Sequence, residues 1–78
     1  MTNTINSKKV TMEDLSDFPE IQKAVQLGKV SLDNCTITDE IGESTATATG
    51  SIDGKKFVLT QVYDVELGQA HDVEASYL

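Results

Sequence analysis

Residues 44–65, STATATGSIDGKKFVLTQVYDV, decide the fold, because two alternating runs flank Asp53-Gly54. An Asp-Gly pair between such runs is the signature of a two-residue type I′ β-hairpin, whose central positions both need positive φ. Ile52 is then expected to face Lys55, and counting outward pairs Gly50 with Phe57, Ala48 with Leu59 and Ala46 with Gln61. Small residues of one strand thus lie beside large ones of the next. The other face carries Thr45, Thr47, Thr49 and Ser51 against Val58, Thr60 and Val62, so the first face is the expected core, with Leu59 at its centre.

Upstream, the period changes from two to about 3.6. Pro19 suits a first helical turn and Glu20 favours the positive end of a helix. Ile21, Ala24, Val25 and Phe18 share one side, and Gly28 stands where a helix would stop. A helix of about ten residues cannot persist alone in water, so the sheet must hold it. Thr11 and Asp14 form an imperfect capping box, which predicts a helical turn over Met12–Leu15. Residues 1–9 are polar and aperiodic, an expected flexible arm ahead of a single domain over residues 10–78. Val30 and Leu32 fit either the start of a strand or anchors beneath the helix.

Two further strands flank the hairpin. Asn34–Ile41 alternates, and Gly42-Glu43 fits a type II′ turn. Ile41 would face Ser44, Ile37 would face Ala48 and Cys35 would face Gly50. This register turns Asp39 inward beside Ala46, so Asp39 lies at an open rim or the register slips there. At the other end, a loop of Leu67-Gly68-Gln69 leads into a last strand, Ala70–Leu78. Val65 would then lie beside His71, Tyr63 beside Val73, Gln61 beside Ala75 and Leu59 beside Tyr77. All three turns put the apolar residues on one face. The expected fold is α+β: a short N-terminal amphipathic helix packed on one face of a four-stranded antiparallel meander in order 1-2-3-4.

Charge narrows the partners. Thirteen Asp and Glu against six Lys, with no Arg, give a formal charge of −7 across 78 residues. Such a surface disfavours direct binding to nucleic acid or to anionic membranes and favours a basic protein partner. One cysteine, Cys35, permits no internal disulfide, and the first residues lack the apolar run of a signal peptide, so a cytoplasmic setting is expected.

No motif specifies a chemistry. His71 is the only histidine and is expected on the inner face, but the meander puts two strands between it and Cys35, a separation of roughly 14 Å at 4.8 Å per strand. A structural role is therefore expected for His71 and an apolar core role for Cys35. One His and one Cys cannot make a zinc site. Asp72 and Glu74 lack a calcium-type ligand loop, and the glycines follow no phosphate-cradling pattern. No catalytic, cofactor-binding or metal-binding residue is expected.

The carboxylates are the remaining feature. Asp39, Glu40 and Glu43 cluster at the first turn, and Asp64, Asp72 and Glu74 are expected together on the outer face, with Glu66 nearby. In size, acidity, lack of catalytic groups and helix-plus-meander layout, the chain resembles the small phage-encoded inhibitors of bacterial defence, including anti-CRISPR proteins. The resemblance is one of type and carries over no residue. It implies a non-enzymatic inhibitor in the host cytoplasm that mimics DNA and occupies a basic, nucleic-acid-binding site. The partner-binding residues expected from the charge pattern are Asp64, Asp72 and Glu74, then Glu40 and Glu43. The alternative is a dimeric structural or adaptor protein that associates through its Thr/Val-rich sheet face.

Overall fold

The computed structural model describes residues 9–78, so the arm expected over residues 1–9 lies, apart from exposed Lys9, outside the described residues. A 3₁₀ turn, Asp14–Asp17, and a helix, α1 (Pro19–Gln26), precede the strands β1 (Val30–Glu40), β2 (Glu43–Ile52), β3 (Lys55–Asp64), β4 (Gln69–Ala70) and β5 (Glu74–Tyr77). The sheet is antiparallel in order β1-β2-β3-β4, and β5 also pairs with β3. The α+β meander is therefore present, with its last strand divided in two.

Local chemistry sets both ends of the helical segment. Thr11 and Asp14 form the reciprocal box: the Thr11 N–H donates to Asp14 Oδ2 at 2.9 Å and the Asp14 N–H to Thr11 Oγ1 at 3.3 Å. The 3₁₀ turn then runs Asp14–Asp17, two residues later than the capping pattern predicts. Pro19 opens α1. Gly28, at φ 76°, closes it: the Lys29 N–H reaches the Ala24 carbonyl at 2.9 Å and the Gly28 N–H reaches Val25 at 3.0 Å. These two bonds are the Schellman pattern, which satisfies carbonyls that would otherwise be orphaned.

The central hairpin has the expected register throughout, from Ile52 opposite Lys55 to Ala46 opposite Gln61. Asp53 and Gly54 take φ of 52° and 80°, as a type I′ turn requires. Phe18, Leu15 and Ile21 are the largest fully buried side chains, in one cluster with Ala46 and Ala48 of β2. The alanines leave a trough that the larger side chains fill. Phe18 also meets Tyr63 of β3 edge to face, centroids 6.4 Å apart. Gly50 is required where it stands, because a Cβ there would come within 2.2 Å of the Lys29 carbonyl oxygen and 2.8 Å of the Phe57 ring. Leu59, expected at the centre of the core, is half-buried and packs against the cluster from its side.

The flanking strands depart from the expected register. In the β1–β2 pair Glu40 faces Glu43, Ile37 faces Ala46 and Cys35 faces Ala48, so the loop is Ile41-Gly42 rather than Gly42-Glu43. The shift is two residues, so the faces are kept. Its cause is Asp39: the expected register would set a carboxylate beside fully buried Ala46, with loss of hydration and no partner. Asp39 instead pairs with Ser44, whose hydroxyl donates to it at 2.6 Å. Val30 is the buried start of β1, opposite Gly50, and the register then slips before Cys35. Within that irregularity the Asp33 N–H donates to Ser31 Oγ at 3.2 Å.

The last strand is not continuous. Tyr63 faces Ala70, not Val73, and β5 places Phe57 opposite Tyr77 and Leu59 opposite Ala75. Residues 71–73 belong to no strand. The buried Gln61 side chain sits at the break and donates from Nε2 to the His71 carbonyl at 2.6 Å, while the His71 N–H donates to Val62 at 2.7 Å. His71 is thus exposed at the break, with its backbone holding the edge, rather than on the inner face.

Candidate acidic interface

Two turns gather carboxylates at one end of the sheet. Glu40 faces Glu43, and Glu43 in turn faces Asp64, so one row crosses three strands. Strand alternation puts the row on the outer face, opposite to Cys35, Ala46 and Phe57, with neighbours about 4.8 Å apart. The flanking loops are tied together here: the Val65 N–H donates to the Gly42 carbonyl at 3.0 Å, and Asp64 Oδ1 accepts the Leu67 N–H at 3.0 Å. Glu66 stands close by, its Oε2 3.8 Å from where a Cβ on Gly42 would lie. Glu40, Glu43 and Glu66 are exposed and Asp64 half-buried.

The other expected binding residues stand apart from this row. Glu74 lies opposite Thr60 on the outer face, four residues along β3 from Asp64, hence roughly 13 Å away. Asp72 is exposed in the break between β4 and β5, so it does not share a strand face with Asp64 and Glu74. Of the five, the structure brings together Asp64, Glu40 and Glu43. The sequence pattern understated this grouping because it depends on the two-residue slip of β1.

Cys35 is buried, its thiol donating to the Ser31 carbonyl at 3.5 Å, and burial pushes its pKa up, away from a reactive thiolate. Among the described residues, no group of three or more His, Cys, Asp or Glu could hold a metal ion, and no helix is long and apolar enough to cross a membrane. Gln61 has a role that the alternation alone does not reveal. It is 2 % exposed, and besides holding His71 it accepts the Glu20 N–H through Oε1 at 3.1 Å. One side chain therefore joins the start of α1 to β3 and to the broken edge.

Comparison with protein-family models, with curated proteins and with solved structures finds no match to this chain.

Proposed function

We propose that this chain is a small, non-enzymatic protein-binding inhibitor that sets its acidic end against a basic, nucleic-acid-binding surface of its target. The observation that carries this reading is the Glu40–Glu43–Asp64 row, three acidic residues paired across neighbouring strands on a face with no helix over it among the described residues. A row of negative charge is suited to steering toward, and covering, a lysine- or arginine-rich groove. The phage-type anti-defence role is the setting in which a protein of this size and charge would act so, in the cytoplasm of the host cell.

The test is capture of partners from a bacterial lysate at low and high salt, followed by association kinetics with the captured protein. The variant Glu40→Gln/Glu43→Gln/Asp64→Asn keeps the Asp64 acceptor for Leu67 while removing three charges. It is expected to bind more slowly and with a flatter salt dependence than the parent, while melting at the same temperature. Equal on-rates and salt slopes, or capture only of proteins without a basic nucleic-acid-binding surface, would sink the proposal. Glu74→Gln, off the row, is expected to change the on-rate less.

A second reading rests on the centre of the outer face, which no helix covers among the described residues. Thr45 beside Val62, Thr47 beside Thr60 and Thr49 beside Val58 form a level, branched patch suited to a second subunit.

A further inference from the structure

An apolar groove of about 400 Å³ runs between α1 and β5, away from the acidic row. Phe57, Leu59 and Val73 form its floor, while Leu27, Ile52 and Tyr77 stand at its rim with 59 %, 46 % and 72 % of their surfaces exposed. A volume in the range of about 300–1,000 Å³, with apolar walls and few polar groups, is that of a small-molecule site. The charged side chains lining it are Lys23, Lys29 and a single carboxylate, Glu20. Past Tyr77 the surface continues into a depression lined by Lys55 and Lys56. In a chain of net charge −7 this is a local reversal of sign.

We infer that the groove binds a single-chain amphiphile with an anionic head, of the fatty carboxylate class. The alkyl chain lies over Phe57, Leu59 and Val73, where it removes the apolar surfaces of Leu27 and Tyr77 from water, and the carboxylate sits between Lys23 and Lys29. The lysines decide the occupant. A second copy docked about a twofold axis would bring two lysine-bearing surfaces together, at an electrostatic cost, and a cationic amphiphile would meet the same field.

The experiment titrates the full chain with sodium dodecanoate below its micelle-forming concentration and follows backbone amide shifts. Dodecyltrimethylammonium and acetate serve as controls. Dodecanoate is expected to shift the amides of Leu27, Phe57, Val73 and Tyr77 saturably, acetate to shift none, and the cation to bind about tenfold more weakly. Lys23→Gln with Lys29→Gln is expected to weaken dodecanoate by about fivefold to tenfold. Ala75→Trp, which fills the groove from β5, abolishes binding; if that variant fails to fold, Leu27→Glu at the exposed rim replaces it and also weakens binding. Equal affinity for the anionic and cationic amphiphiles, shifts centred outside the groove, or a concentration-dependent dimer in which the same amides are protected without ligand would each overturn the inference.

Discussion

The two faces of the sheet come from the same strands, yet one carries the helix while the other has none over it among the described residues, and along β2 apolar content alone does not account for the difference. Along β2 the inner positions are Ala46, Ala48 and Gly50 and the outer ones Thr45, Thr47 and Thr49; each set is modest in hydropathy. The distinction is relief. On the inner face the small residues of β2 lie against Phe57, Leu59 and Gln61 of β3, which leaves a trough that Phe18, Leu15 and Ile21 fill. On the outer face branched residues of similar size stand opposite one another and make a level surface. Close packing rewards the face with a trough, since a helix can interdigitate only where side chains differ in height.

If relief is what matters, filling the trough should cost more than any change on the level face. Gly50→Ala adds one methyl group at a point where no Cβ fits, against the Lys29 carbonyl and the Phe57 ring. The expected loss is about 3 kcal/mol, as for overpacking that forces backbone to move. The denaturation midpoint measures it. A variant within about 0.5 kcal/mol of the parent, the range of ordinary surface substitutions, would mean that relief near β1 does not determine which face is covered.

The legible parts of this fold are those set by local chemistry. Asp53-Gly54 and Gly28 each fix a few dihedrals through near neighbours and stand where their residues imply, and the Thr11–Asp14 bonds form as the capping pattern implies, although the turn after them starts two residues late. The registers of β1 and of the last strand were not legible, because they answer to distant demands. Asp39 must escape fully buried Ala46, and the Gln61 side chain must reach both Glu20, 41 residues earlier in the chain, and the His71 carbonyl. A polar residue on an otherwise apolar face was the available signal for Gln61, but alternation says nothing of what such a residue holds. The acidic row was half legible: Glu40, Glu43 and Asp64 carry the right faces, and the slip of β1 brings them abreast.

The Gln61 link gives the next effect in size. Gln61→Leu keeps the volume and the inner face but leaves the Glu20 N–H and the His71 carbonyl without their partner, at an expected cost of about 1–3 kcal/mol. Hydrogen exchange locates the damage. The Glu20 amide should exchange faster in the variant than in the parent, whereas the Leu59 amide should change only with global stability. An unchanged Glu20 amide would show that α1 is held by its apolar contacts alone.

The smallest expected effect belongs to the level face, where it also separates the two functional readings. Val62 lies beside Thr45 on the outer face, half-buried within the single sheet. For a monomer with that face in water, Val62→Lys keeps a long aliphatic stem over the neighbouring threonines and lifts its charge into solvent, so it should cost less than about 1 kcal/mol. The cost should not vary with protein concentration. A dimer through the Thr/Val patch behaves differently, because each subunit would bury the other's lysine charge unpaired, and the midpoint would fall more as the protein is concentrated into the range where the parent associates. Sedimentation of parent and variant over a hundredfold range of concentration, roughly 3 kcal/mol in RT ln terms, distinguishes the two outcomes. Unchanged mass for both proteins, with a small constant loss of stability, leaves the outer face free for the acidic row to meet a partner.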